Sequence, residues 1–245
     1  MTHEPCQSAR RLASLLVDLQ AVGLAWARFA PTLAIVPAFG LKALPVPARG
    51  ILGIALAAGI YPAVTPLVLE RASTPWALLA LEQILIGLPV ALAAAIPLWA
   101  ATMAGGLVDS LRGVQDGTGL AVVEGTKATP IAILLSLLAS IVFLSTGGPA
   151  RVAGSLATAT FGEHPLLGAA HALVAGIGIA IALAAPILAA SVVLEIAFAL
   201  VARAASPSQV HALLAPIRAL GLLAVVAIVL DRIVDVLAIA VRARI

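Results

Sequence analysis

Charged residues are scarce in this chain, and their scarcity decides its class. Of 245 residues only 10% are charged and 62% are hydrophobic, with a mean hydropathy of +1.16, whereas a soluble domain contains about 25% charged residues. Aromatic residues make up only 4%. Because the basic residues are scattered and no aromatic residues cluster with them, the net charge of +3 does not indicate nucleic-acid binding. The sequence predicts a protein whose main solvent is a membrane.

Cysteine is nearly absent as well, and the common catalytic motifs are missing. Cys6 is the single cysteine, which excludes a disulfide within the chain and a cysteine-based metal site. The segment GLAVVEGTK at 119–127 has the wrong spacing and residue order for a phosphate-binding loop, and no HExxH or GxSxG pattern occurs. We therefore expect no catalytic residue, no cofactor and no metal, and an enzyme is not predicted.

Long apolar runs are what the chain has instead. A membrane-spanning helix needs roughly 20 mostly apolar residues, and four uncharged stretches have that length: Gly50 to Leu69, Gln83 to Val108, Ala128 to Ala150 and His164 to Leu194. At least four helices should therefore enter the bilayer. Two further runs, Leu12 to Phe39 and His211 to Ala240, are predicted helices that contain charges. The N-terminal run shows no obvious cleavage site, so we expect it to be retained.

Prolines and glycines predict how these helices are divided. Pro31 and Pro37 should bend or break the first helix, because proline removes a helix hydrogen bond and clashes with the preceding turn. Pro75 is expected to begin the third helix. The region RVAGSLATATFGEHP, residues 151–165, is only weakly apolar. From Leu166 to Val201 the chain is apolar for about 54 Å of helix, with Pro186 inside it, and Val210 to Arg242 forms a return helix. A long C-terminal helical hairpin is predicted.

The segment GGLVDSLRGVQDGTGLAVVEGTK, residues 105–127, differs from its surroundings because it holds charges and glycines together. Residues 106–116 are predicted to form a short amphipathic helix in which Arg112 pairs with Asp109 and Asp116. The GTG sequence at 117–119 should end this helix. Leu120 to Val123 then make a small apolar tip. Such a segment can close a pore, or it can be a plain interfacial connection between two spans, and the local sequence does not separate these interpretations.

A few charges lie close to apolar runs: Arg28, Glu82, Glu195, Asp231 and Asp235. An unpaired charge at the middle of a membrane costs at least about 2.5–3.5 kcal/mol. These side chains should therefore form pairs, reach the interface or face water. Ion pairing between subunits and a proton or ion path are both compatible with this pattern.

Taken in order, several short segments resemble the FliR/YscT/SpaR family of export-apparatus proteins from bacterial flagella and type III secretion systems. The resemblance is carried by RFAPTLAIVPAFG, PVPARGILGIALA, EQILIGLPV, MAGGLVDSLRG, FLSTGG and, most clearly, APILAASVVLEIAFALVARAASPSQVHALLAPIRALG at 185–221. Each motif alone consists of small residues in an apolar background. It is their order along nearly the whole chain that makes the similarity specific.

The resemblance implies an all-α, polytopic inner-membrane protein with kinked helices, acting as one subunit of an export gate. Residues 1–165 would resemble the FliP-like subunit and residues 166–245 the FliQ-like subunit. Implied partners are the FliP-like and FliQ-like proteins, the FlhB-like switch protein, secreted protein substrates and membrane lipid. An injectisome connected with virulence is the leading interpretation, and a flagellar system remains open.

The resemblance also implies roles for particular residues. The family's equivalent of the 105–127 segment contributes to the plug of the closed channel, which gives the following plug candidates: Gly113, Gly117, Gly119, Leu120, Val122 and Val123. Structural or inter-subunit candidates are Arg28, Pro31, Pro37, Arg49, Glu82, Gly87, Gly105, Gly106, Pro186, Glu195, Arg203, Pro207, Pro216 and Asp231.

A second functional hypothesis stays open from the charges alone. A secondary transporter or permease subunit would use Arg28, Glu195 and Asp231 to bind a substrate or protons near the midplane. Co-purification with FliP-like and FliQ-like proteins would favour the export gate, and uptake of a small solute by this chain alone would favour the transporter.

Overall fold

The computed structural model describes residues 4–39, 45–71, 73–113, 129–160, 165–204 and 210–244. Within these ranges the protein is entirely helical and contains no strand. The helices are α1 (Glu4–Ile35), α2 (Val46–Glu70), α3 (Trp76–Leu111), α4 (Pro130–Ser145), α5 (Gly148–Thr158), α6 (Pro165–Ala204) and α7 (Val210–Arg244), and a short 3-10 helix (Pro37–Phe39) follows α1. The expected all-α fold is confirmed.

Three helices in the described residues are long and apolar enough to cross a membrane. They are the segments Gly53–Glu70, Trp76–Leu111 and Leu167–Arg203. The remaining predicted span, Ala128 to Ala150, overlaps α4 and the start of α5. These two helices meet at an angle of 65° and can count together as one broken span. The described residues thus contain three or four candidate spans, as expected of a polytopic membrane protein. The charged runs near the termini form α1 and α7, as predicted.

Proline positions explain several helix boundaries. α1 contains Pro31 and continues to Ile35. It ends before Pro37, where the 3-10 helix begins, because proline has no backbone N–H to continue the hydrogen bonding of the α-helix. Pro186 and Pro216 lie inside α6 and α7. α3 begins at Trp76, one residue later than expected, and the Pro75 carbonyl accepts hydrogen bonds from the N–H groups of Leu78 and Leu79.

Helix α5 is the element that the sequence pattern did not predict. Gly147 has a φ of +75°, which is a left-handed conformation suited to glycine. The next residues, Gly148 and Pro149, begin a new helix. Proline is favoured there because N–H groups in the first turn have no partner within the helix, so nothing is lost when proline lacks one. The helix buries Val152 and Leu156, which are spaced four residues apart and so share one face.

Two compact units can be distinguished by contacts within the chain. One contains the described parts of 1–95 and 147–173, and here α1 packs on α2 and α2 on α5. The other contains the described parts of 96–146 and 174–244, and here α4 packs on α7. Helices α3 and α6 contribute to both units. The predicted division after residue 165 is of another kind, because it separates the part that resembles a FliP-like subunit from the part that resembles a FliQ-like subunit. It stays a prediction.

Small residues allow close helix approach in the first unit. A β-carbon at Gly87 in α3 would overlap the backbone carbonyl of Arg28 in α1. Both the side chain of Phe29 and that of Leu24 are fully buried on α1. The contact between α1 and α3 at this point therefore requires a residue without a side chain.

We expect Gly87→Ala to lower the stability of the protein by about 1–3 kcal/mol, because the added methyl group must displace backbone rather than a mobile side chain. The thermal unfolding midpoint of the purified protein in detergent measures this effect.

Gly59→Ala is the matched control, since an added β-carbon at this helical position meets nothing within 4 Å. It should leave stability unchanged or raise it by up to about 1 kcal/mol. Equal unfolding midpoints for Gly87→Ala and wild type would contradict the close α1–α3 approach.

Candidate functional site

The predicted plug segment begins at the end of α3, and the structure describes its first part. Residues 105–111 belong to α3, and residues 112 and 113 form a turn. Gly113 has a φ of +80°, which favours glycine. The other plug candidates, at positions 117, 119, 120, 122 and 123, lie outside the described residues. The chain is described again from Thr129, immediately before α4.

Asp109 joins the two ends of this segment. Its side chain is fully buried. Its Oδ2 atom accepts a hydrogen bond of 2.7 Å from the backbone N–H of Ile131, and its Oδ1 atom accepts one of 3.0 Å from Nη1 of Arg112. Ile131 is the second residue of α4. One carboxylate on α3 therefore holds the first turn of α4.

This contact replaces the usual helix cap. Thr129 is the N-cap residue of α4, but its side chain makes no capping hydrogen bond. The first N–H groups of a helix have no partner inside the helix, and the positive end of the helix dipole stabilises a carboxylate there. Asp109 supplies both the acceptor and the negative charge, while Arg112 balances that charge.

The α3–α4 contact is also close at Gly105. A β-carbon at this position would lie 2.5 Å from the Cα atom of Ala132 and 2.6 Å from the carbonyl oxygen of Ile131. Gly106, the next residue, meets nothing within 4 Å. Of the adjacent candidates Gly105 and Gly106, Gly105 is thus the one at which α4 approaches the backbone of α3.

The predicted amphipathic helix at 106–116 differs from the structure in its start, in its end and in the contacts of Asp109. Residues 106–111 continue α3 rather than forming a separate helix, and α3 ends at Leu111 instead of at 117–119. Asp109 is buried and bonds the backbone of α4, a contact that the amphipathic pattern did not predict. The reason is that the N-terminus of α4 lies against this face and requires an acceptor. The predicted Arg112–Asp109 pair is present, and Asp116 lies outside the described residues.

Two buried polar atoms that have no partner in the described part of the chain lie on either side of the 114–128 segment. Nε of Arg112 and Oγ1 of Thr129 are buried and have no hydrogen-bond partner among the described residues. A buried polar group without a partner costs about 1–3 kcal/mol. Both ends of the segment therefore carry polar atoms that are not satisfied by the helices themselves.

A second buried polar cluster surrounds Arg28 in the other compact unit. Arg28 is only 4% exposed. Its Nε atom donates to Oε1 of Gln83 at 2.7 Å, and its Nη1 atom donates to the carbonyl oxygen of Leu156 at 2.8 Å. The guanidinium group therefore connects α1 with α3 and with the C-terminal part of α5, through neutral acceptors.

Comparison with known protein families shows which family the chain belongs to. The family described as bacterial export proteins, family 1, matches residues 19–243, which include both polar clusters. The chain belongs to this family. It is the FliR/YscT/SpaR family expected from the motifs. A comparison with curated proteins gave no match.

Members of this family are structural components of bacterial export machinery. Together with the apolar helices, membership makes this chain a multi-pass protein of the bacterial inner membrane and a component of an export apparatus. In the described residues, no group of three or more His, Cys, Asp or Glu side chains could hold a metal ion.

The remaining structural candidates of this export protein fall on several helices. Glu82 pairs with Arg71 at 2.7 Å. Glu195 on α6 pairs with Arg218 on α7, and both side chains are partly exposed. Arg203 is exposed in the last turn of α6, and Asp231 is exposed on α7. Arg49 lies in α2, and Pro207 lies outside the described residues.

Two polar contacts were not expected from the sequence. Gln83 was treated as the start of an apolar run, yet its side chain is fully buried and bonds Arg28. Its position as the single amide in that run was the available signal. Asp109 was expected to bind Arg112 only, and no local pattern could reveal a bond to a residue 22 positions later.

Asp109→Ala should destabilise the protein by about 1–3 kcal/mol or more, because it leaves the Ile131 N–H and the Arg112 side chain without their buried acceptor. Asp109→Asn should cost less, since it keeps one acceptor oxygen. Thermal unfolding in detergent measures both.

Ser110→Ala is the control, because Ser110 is exposed and its hydroxyl donates to the carbonyl of Gly106 in its own helix. Its unfolding midpoint should match that of wild type. An equally small effect of Asp109→Ala would refute the role of this carboxylate at the base of the segment.

Gly105→Ala should destabilise the second unit by about 1–3 kcal/mol, because the added β-carbon meets the backbone of α4. Gly106→Ala is a control one residue away in the same helix and should be neutral or stabilising. Protease resistance and unfolding midpoints of the two variants test the difference. Similar values for both would show that α3 and α4 are not in close contact at Gly105.

Proposed function

We propose that this export protein is a channel subunit of the inner-membrane export gate of a type III protein secretion system, where it helps to form and close the pore for unfolded substrate proteins. The observation that carries the proposal is the Asp109 contact, which ties the end of α3 to the start of α4 across the 114–128 segment. Membership of an export family supports the transport role.

A plug segment needs two ends that stay in place, and the contacts between α3 and α4 supply them. A segment that opens and closes must move without unfolding the helices that carry it. Asp109 and the close approach at Gly105 hold these helices together, so movement can be confined to the residues between them. Gly117 and Gly119 would supply backbone freedom, and Leu120 with its neighbours Val122 and Val123 would supply the apolar seal. Opening is then a shift in population towards a form that substrate or neighbouring subunits bind better.

The partners in this proposal are the FliP-like and FliQ-like gate subunits and the FlhB-like switch protein, with secreted proteins as the substrates. The exposed surface of α6 supports assembly with other subunits. Only 17% of the span Leu167–Arg203 is buried within the chain, compared with 56% of the span Trp76–Leu111. In this proposal residues 1–165 resemble the FliP-like subunit and residues 166–245 resemble the FliQ-like subunit.

The test places single cysteines in the segment. Gly117→Cys and Leu120→Cys are made in a Cys6→Ser background, and ion leakage across the membrane is measured in the assembled complex before and after thiol labelling. We expect leakage to change at both positions, because each modification disturbs the seal. Gly113 is left unchanged, since its φ of +80° would strain any other residue.

Gly154→Cys serves as the control, because this glycine is exposed on α5 and an added β-carbon meets nothing within 4 Å. Its labelling should leave leakage at the wild-type level. If labelling is complete at 117 and 120 but leakage does not change, the segment is a surface connection. Uptake of a small solute by this chain alone, dependent on Arg28, Glu195 or Asp231, would establish the transporter instead.

A further inference from the structure

An open groove of about 480 Å³ lies beside the turn between α2 and α3. It is lined by Arg71, Glu82 and three leucines, Leu78, Leu81 and Leu85. The spans Gly53–Glu70 and Trp76–Leu111 end and begin on either side of this turn. The turn therefore lies at a boundary between membrane and water. Trp76 is 50% exposed here, as is typical of tryptophan at membrane interfaces.

The polar part of the groove contains one charge of each sign. Nη1 of Arg71 contacts Oε2 of Glu82 at 2.7 Å, while the two side chains remain 49% and 20% exposed. A guanidinium group has five N–H donors and a carboxylate has about four acceptor positions. Their mutual bond uses only a small part of this capacity. Both charges can therefore contact a ligand without losing each other.

The apolar part of the groove is a leucine face on α3. Leu78, Leu81 and Leu85 follow the i, i+3, i+7 spacing that places side chains on one side of a helix. Leu78 and Leu81 are both more than half exposed. Glu82 lies six residues after Trp76, which is about 9 Å along the helix axis. The charges are thus near the level where phospholipid headgroups meet acyl chains.

We propose that this groove binds a zwitterionic phospholipid with a primary-amine headgroup, of the phosphatidylethanolamine type. Its phosphate contacts Arg71, its ammonium group donates to Glu82, and an acyl chain continues deeper into the membrane along Leu85, while Leu78 and Leu81 flank the headgroup. A choline headgroup has no N–H to donate to the carboxylate. A glycerol headgroup has no positive charge to balance it. The proposal requires the membrane location but does not depend on the channel function.

The test measures which lipids remain bound to the full-length protein. The protein is reconstituted with equal amounts of phosphatidylethanolamine, phosphatidylcholine and phosphatidylglycerol with identical acyl chains, and retained lipids are counted by native mass spectrometry. We expect the wild type to retain the ethanolamine lipid at least about threefold over the other two, a factor within the range of partly exposed charge pairs.

Charge variants distinguish the two contacts. Glu82→Gln should shift the preference towards the anionic glycerol lipid, because Arg71 then carries an unbalanced positive charge. Arg71→Gln should abolish the preference, and Arg71→Lys should keep it because the positive charge remains. Glu195→Gln is the control, since it removes the acidic partner from another partly exposed ion pair, and it should keep the wild-type preference.

Equal retention of the three lipids by the wild type would overturn the proposal. So would an unchanged preference in both Glu82→Gln and Arg71→Gln. If the groove is covered by a partner subunit instead, these two variants will weaken co-purification of export subunits and leave the lipid ratio unchanged. Comparison of Arg71→Lys with Arg71→Gln decides the question even if Glu82→Gln folds poorly.

Discussion

A polar group that lies within a membrane must find its partner inside the protein, and the bond from Ile131 N–H to Asp109 meets this requirement at the start of α4. It satisfies one N–H group in the first turn of α4, places a negative charge at the positive end of the helix dipole and gives Arg112 a carboxylate. Arg28 meets the same requirement with Gln83 and the carbonyl of Leu156. The close helix approaches at Gly87 and Gly105 bring such partners within reach.

The helices could largely be predicted because their signal is local. Apolar length predicted α2, α3, α4 and α6, and the position of Pro37 predicted where α1 ends. α5 was missed because its apolar residues are few and its start depends on the left-handed conformation of Gly147. The amphipathic helix at 106–116 was wrong as a separate element, because the helical conformation of α3 extends without interruption to Leu111.

The candidate site was less predictable because its partners are distant in sequence. Arg28 could be singled out as a charge in an apolar run, but its acceptors lie 55 and 128 residues away. Family resemblance pointed to Gly87 and Gly105, yet only the folded helices reveal that both face backbone. Glu82 was identified in the same way, whereas its pairing with Arg71 depends on the turn between α2 and α3.

These distances also set an order of events during synthesis. A ribosome adds about 5–20 residues per second. Ile131 lies 22 residues after Asp109, so it is synthesised about one to four seconds later. Leu156 lies 128 residues after Arg28, so it is synthesised about 6–26 seconds later. During that interval the Arg28 guanidinium lacks one of its hydrogen-bond acceptors, which disfavours its burial. α1 therefore reaches its final place only after α5 has been synthesised, so biogenesis of the first unit joins an early helix to a late one.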